Sequence, residues 1–175
     1  NACGNEMNPG VGTYLALGAA GGSDRRYLTR NRSPWYALEA RPIAPLLVTT
    51  FSRAEVRWVR NEAAVSNLTA FHGFYPHPET NLDLLSAYLV TPLAQRILAQ
   101  NRREYGDGLR KYEPNDLNQG LVVDITHFPE DIRNPVVKIY KLFVKAHRND
   151  NDPSDYILQL NDLFLSFLKN LTSVA

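Results

Sequence analysis

The residues best suited to chemistry lie between Tyr105 and Leu117, in the run Tyr-Gly-Asp-Gly-Leu-Arg-Lys-Tyr-Glu-Pro-Asn-Asp-Leu. Gly106 and Gly108 permit positive φ and close backbone approach, and Lys111 can aim a cation at whatever rests against that backbone. These are the parts of a small phosphate cradle. The same spacing also suits an ordinary connection in which a helix closes at glycine and runs into a short strand.

Charge distribution is the second feature. Between Asp24 and Arg60 stand eight arginines against three acids, although the whole chain carries a net charge of only +1. Such a local excess can face phosphates or simply form a solvated surface. Pro34-Trp35-Tyr36 adds a proline followed by two large aromatics, suited either to a stacking platform or to the plug of a small core.

Other chemistries do not fit the pattern. His72, His77, His127 and His147 lack metal-ligand spacing, and Cys3, the single cysteine, excludes an internal disulfide framework and a multi-cysteine zinc site. There is no serine elbow, P-loop or His-Glu-x-x-His. Gly10-Val11-Gly12 lacks the third glycine and the preceding strand of a dinucleotide fingerprint, and reads as a turn.

The 175 residues are enough for one domain with a real core. A hydrophobic fraction of 44% and a charged fraction of 21% are ordinary for a globular protein. No apolar run approaches the roughly 18 residues of a membrane span. Nor does the start read as a signal peptide, so the expected location is cytoplasmic with no membrane partner. Asn1-Ala2 reads as an expression remnant and residues 1–26 as a mobile leader, with one short strand at 13–17.

The elements that must position the candidate residues follow from periodicity. Residues 46–51 form a β-branched, apolar strand, and 53–60 alternate, with Ala54, Val56 and Trp58 on one face. Residues 65–71 form another strand. Thr80 caps a helix over 81–90, and Thr91-Pro92 starts a second, with Leu93, Ile97, Leu98 and Tyr105 as its buried stripe. That helix delivers the glycine loop. After a short strand at 121–125, Asn134-Pro135 and Asp152-Pro153 open helices over 135–147 and 153–171. The broad apolar stripe of the last helix suits burial or a partner surface. The expected class is α+β, one domain over 27–175, with a small antiparallel or mixed sheet in 27–78 packed with about four helices in 79–175.

Several motifs share one order with a known family. Arg32-x-Pro34-Trp35-Tyr36-x-x-Glu39, an Ala44-Pro45-Leu46-Leu47 strand, Arg57-Trp58-Val59-Arg60-Asn61, Phe74-Tyr75-Pro76, then Tyr105-Gly106-x-Gly108-Leu109-x-Lys111-x-x-Pro114-x-x-Leu117 follow one another. This succession resembles the C-terminal target-recognition region of adenine-N6-specific DNA methyltransferases of bacterial type II restriction-modification systems, type IIG included. The match covers roughly residues 27–125. The family's aspartate- or asparagine-Pro-Pro-aromatic motif and its Phe-x-Gly-x-Gly-like motif are absent from this sequence.

The resemblance therefore implies a chain that does not itself transfer methyl groups or hold a cofactor. Its parent would be a methyltransferase using S-adenosylmethionine on adenine N6. The implied partners are duplex DNA, the catalytic half of the same parent and a restriction subunit. Chemistry on a base needs the nucleotide swung out of the stack, so a second body must hold and read the duplex. On that account Gly106, Gly108 and Lys111 position a phosphate near the extruded base. Arg53, Arg57 and Asn67 face the groove for readout, with Arg30, Arg60 and Tyr75 in support. The alternative is a protein-interaction domain that meets a restriction subunit without reading bases. An arginine-lined concave face would favour the first, and an exposed stripe along residues 160–171 the second.

Overall fold

The computed structural model describes residues 8–38 and 41–172, with side chains through Asn170. Asn1-Ala2, Cys3 and Glu39 lie outside the described residues. The chain divides into two compact units, Asn1–Pro42 and Ile43–Ala175.

In the first unit, helix α1 spans Pro9–Ala20. Asn8 caps it, its side-chain oxygen accepting from Gly10 N at 2.9 Å. Pro9 takes the first helical position, where its missing N–H is no loss. One expectation is corrected here, since residues 13–17 are helix rather than strand, and the turn expected at Gly10-Val11-Gly12 is the first part of that same helix. The cap and the proline outweigh the glycines' poor helix propensity. Gly18 has a packing reason, since a Cβ there would lie 3.0 Å from Trp35 Cη2, so the indole rests on bare backbone.

The second unit holds two small antiparallel sheets and the larger helices, so the class is α+β. Its strands begin with β1 (Leu46–Thr49), β2 (Phe51–Ser52), β3 (Trp58–Arg60) and β4 (Phe71–Phe74). β1 is the centre of the first sheet, with β3 and β4 on its two sides. Its period-2 pattern sends Leu46 and Val48 into the core, beside Trp58 and Phe74, whose rings meet edge-on at 5.4 Å.

The strand expected over 46–51 is broken at Thr50, where the chain leaves one sheet for the other. The buried Thr50 ties the crossing: its N donates to Ala70 O, its hydroxyl donates to Thr69 O, and its O accepts from Tyr112 N at 3.0 Å. Residues 53–57 are loop rather than strand, although Val56 alone is buried as its alternation requires. The strand expected over 65–71 instead begins at Phe71. Asn67 Nδ2 donates to Phe71 O at 2.9 Å and holds the preceding residues in a turn.

Helix α2 covers Leu82–Leu89, and α3 covers Pro92–Leu98. The cap of α2 is Asn81 rather than Thr80, its oxygen accepting from Asp83 N and Leu84 N. Thr91 caps α3 as expected. Tyr105 does not belong to that helix's stripe: a 3-10 turn over Ala99–Asn101 ends it, and β5 (Arg103–Glu104) follows. β6 (Arg110–Lys111) then pairs with both β5 and β2 to form the second sheet. A short helix, α4, spans Pro114–Asn118.

Residues 121–125 form no strand; Val123 and Ile125 anchor the segment while Leu121 and Val122 are exposed. Helix α5 runs from Glu130 to Arg148 with Pro135 inside it, so Asn134 is not its cap. Pro135 is the sixth residue of the helix and forgoes the one bond its N–H would have made to the carbonyl four residues back, yet the helix runs through it, so the expected start fell five residues late. Helix α6 spans Ser154–Thr172, and Asp152 accepts from Ser154 N at 3.0 Å at its entry.

The stripe of α6 is internal. Leu160, Phe164 and Phe167 are buried, and Phe128 packs its ring 4.0 Å from that of Phe167 and 5.2 Å from that of Phe164. Tyr88 of α2 meets Phe164 from the other side at 5.4 Å. These helices thus back the first sheet and hold up the loops that leave it. Among the described residues no helix is long and apolar enough to cross a membrane.

Candidate nucleic-acid interface

The second sheet is a small platform of alternating side chains. Opposite pairs in its register are Phe51 with Lys111, Ser52 with Arg110, Arg103 with Lys111 and Glu104 with Arg110. Phe51, Lys111 and Arg103 therefore share one face, and Ser52, Arg110 and Glu104 the other. β5 and β6 are joined by Gly106-Asp107-Gly108, closed by Tyr105 N donating to Leu109 O at 2.8 Å. Asp107 and Gly108 both take positive φ, at 62° and 66°, and all three tip residues are exposed. The expected helix-fed loop is thus a hairpin tip.

Charge on this platform is largely matched within the protein. Arg103 grips the Asp116 carboxylate with two nitrogens, at 2.8 and 3.2 Å, which raises its already high pKa. Arg102 reaches Glu104 at 2.6 Å, and Arg110 donates to Ala54 O at 2.9 Å. Lys111 Nζ lies 2.6 Å from Glu113 and 5.4 Å from the centre of the Phe51 ring. Their hydrogen bond raises the pKa of the Lys111 ammonium and lowers that of the Glu113 carboxyl.

Two arginines stand apart from this matching. Arg53 lies at a loose 3.7 Å from Asp107, with both side chains mostly exposed. Arg57 is held by its backbone, its N donating to Thr49 Oγ1 at 3.2 Å and its O accepting from Thr49 N at 3.1 Å. Its guanidinium meets no carboxylate among the described residues. Thr49, Phe51, Ser52, Arg53, Ala54 and Arg57 line an open cleft of about 280 Å³ beside the hairpin.

The structure brings together five of the nine residues singled out in the sequence: Gly106, Gly108 and Lys111 on the hairpin, with Arg53 and Arg57 beside it. Arg60 faces elsewhere, its Nη1 3.1 Å from Asp83 and 3.5 Å from the Ser86 hydroxyl. Asn67 commits its amide to the Phe71 carbonyl. Tyr75 is half exposed and follows β4, with its ring against Gly73. Arg30 belongs to the first unit and stacks over Tyr27 at 5.3 Å.

Phe51, Arg102, Arg103 and Arg110 are the residues that sequence reasoning passed over. A signal existed in the basic doublets flanking the glycines, Arg102-Arg103 before and Arg110-Lys111 after, which mark two strands joined by a glycine turn. No three His, Cys, Asp or Glu side chains among the described residues converge as a metal site.

The family model described as type II methyltransferase M.Eco57I, C-terminal domain, matches residues 1–164. Type II methyltransferase M.AccI of Acinetobacter calcoaceticus is 37% identical over 166 residues, covering 93% of this chain and 31% of that protein. Type II methyltransferase M.XamI of Xanthomonas campestris pv. amaranthicola is 26% identical over 109 residues, covering 62% of this chain and 20% of its own length. The chain thus spans a third or less of the curated relatives it matches. No solved structure matches it significantly.

Proposed function

This chain belongs to the C-terminal domain family of type II methyltransferase M.Eco57I, and from that premise we propose that it is a DNA target-recognition domain. It binds duplex DNA beside a catalytic portion of the same parent, which supplies S-adenosylmethionine-dependent methylation of adenine N6. The observation that carries this reading is the open cleft where Arg57 and Arg53 flank the exposed Phe51 at the root of a glycine hairpin.

The chemistry follows from those side chains. A guanidinium without an internal partner is free to take a guanine edge bidentately or a phosphate oxygen. Phe51 offers a flat apolar face for a base or sugar, and the Lys111 ammonium at its other side keeps the ring in place. The exposed hairpin tip, with its two positive-φ residues, lets a sugar-phosphate backbone come close to main chain. While the catalytic portion holds an extruded adenine, these contacts fix register and support the distorted strand.

Gly106 and Gly108 do not fit the cofactor itself. A Cβ at either would meet nothing within 4 Å, so the turn has no facing wall to enclose an adenosine. In this reading S-adenosylmethionine is held by the catalytic portion. The protein-interaction alternative loses its distinguishing feature, since Leu160, Phe164 and Phe167 of α6 are buried.

The test is a titration of labelled mixed-sequence duplex with this chain at stepped salt. Binding around 10⁻⁴ to 10⁻⁶ M that weakens as salt rises supports the reading, as phosphate contacts release counterions. Absence of binding at low salt overturns it.

A further inference from the structure

Helix α5 carries a second charged surface, at the opposite end of β3 from the hairpin. Lys138, Lys141, Lys145 and Arg148 follow at intervals of three, four and three residues. At 3.6 residues per turn they fall within about 80° of arc and span about 15 Å of helix axis. From Ile132 to Arg148 the helix contains no carboxylate at all. Lys138, Lys141 and Lys145 have no ion-pair partner among the described residues, and all are exposed. Only Arg148 is engaged, to Glu62 at 2.5 Å.

The stripe borders a groove of about 410 Å³ between α5 and the end of β3. Arg60, Lys141, Lys145 and Arg148 line it against Glu62 and Asp83, with Tyr140 as its apolar floor. Arg60 belongs to this surface rather than to the hairpin face: about 10 Å of extended chain separate it from Arg57 at 3.3 Å per residue.

Helix stability does not explain the stripe. Cations in the last turn favour the helix dipole, which accounts for Lys145, His147 and Arg148. That effect fades within a turn, so Lys138 and Lys141 gain little from it. Like charges at Lys141 and Lys145, four residues apart, destabilise an isolated helix, and no carboxylate on α5 relieves them. Glu62 answers Arg148, while Lys138, Lys141 and Lys145 are left with no carboxylate among the described residues, a row that an external polyanion of regular spacing can match.

We infer that the Lys138, Lys141, Lys145 and Arg148 face of α5, with the Arg60 groove beside it, tracks the phosphates of one DNA strand in the duplex flanking the recognised site. The inference rests on the DNA-binding reading above and gives it a second surface. One strand rises about 3.4 Å along the duplex axis per phosphate and winds around that axis as it rises, so a row of about 15 Å can lie against a few successive phosphates. Contacts of this kind carry charge without base information.

The experiment compares this chain with its Lys141→Ala/Lys145→Ala double variant and with Arg96→Ala, an exposed cation of α3 outside the stripe. Each is titrated with labelled duplexes of differing sequence across a salt series, alongside melting curves that report folding. The double variant should shallow the slope of log affinity against log salt by about two units and leave the ranking of duplexes unchanged. Arg96→Ala should keep the original slope. If the unmodified chain binds with a salt dependence and the folded double variant keeps the same slope, the α5 surface is overturned while the DNA-binding reading stands. If the unmodified chain binds no duplex at low salt, both fall.

Discussion

Lys111 Nζ lies 2.6 Å from Glu113 Oε1, so the cation nearest the glycine turn is already matched to a carboxylate of its own chain. The Phe51 ring sits on its other side, at 5.4 Å. Lys111 thus braces the hairpin and its aromatic neighbour, while Arg57, in the cleft beside it, meets no carboxylate among the described residues.

The pair sets a pH window for the hairpin. Glu113 titrates below its ordinary value because it accepts from Lys111, so its contribution is present above the unfolded carboxyl pKa and is lost as pH falls through the lower folded one. Lys111 titrates above its ordinary value for the same reason. Its contribution is full below the unfolded lysine pKa and is lost only as pH rises through the higher folded one. The protection of the β5 and β6 amides against exchange, taken relative to the intrinsic rate at each pH, should therefore stay constant from mildly acidic to mildly alkaline pH and fall in acid. A loss of protection near neutrality would contradict the pairing.

Removing the carboxylate should release the lysine. Glu113→Gln keeps shape and hydrogen bonding but leaves the Lys111 charge unmatched beside the cleft. Duplex binding should tighten, and the slope of log affinity against log salt should steepen by about one unit. A variant with unchanged slope would show that DNA does not approach Lys111.

How much of this was legible in the sequence depends on which force decided each residue. Local chemistry was readable: Thr91-Pro92 starts α3, Asp152 opens α6, and the apolar periodicity of α6 marks a buried face. Residues 53–57 and 121–125 have strand-like alternation or apolarity, yet lack a neighbouring strand to complete a ladder, and that depends on tertiary pairing. Thr50 illustrates the same point. Nothing local says that a β-branched run should bend there; the carbonyls and amide it meets come from Thr69, Ala70 and Tyr112. At the candidate interface, family motifs located the glycine hairpin and Arg57. They were silent on Phe51 and on which arginines are neutralised, because ion pairs such as Arg103 with Asp116 join residues that only folding brings together.

A buried cross-link provides a stability check independent of DNA. Asn161 Oδ1 on α6 accepts from Leu93 N at 3.0 Å, while Thr91 Oγ1 accepts from Ala94 N at 3.2 Å. Together they satisfy two of the orphan amides in the first turn of α3. Asn161→Leu should strand the Leu93 N–H in the core and cost about 1–3 kcal/mol. Urea denaturation measures it, with the midpoint lowered and the slope unchanged. An unaltered midpoint would mean that the amide finds another acceptor.

The most direct measurement of the central claim is residue-level mapping of the duplex by amide chemical shifts, on this chain and on Arg57→Ala. The account predicts that added duplex perturbs residues 51–57 and 103–111 together, leaves the core residues Leu160 and Phe164 unmoved, and binds Arg57→Ala more weakly by about 1–3 kcal/mol. Perturbations that bypass both segments, or equal affinity for the two proteins, would contradict it.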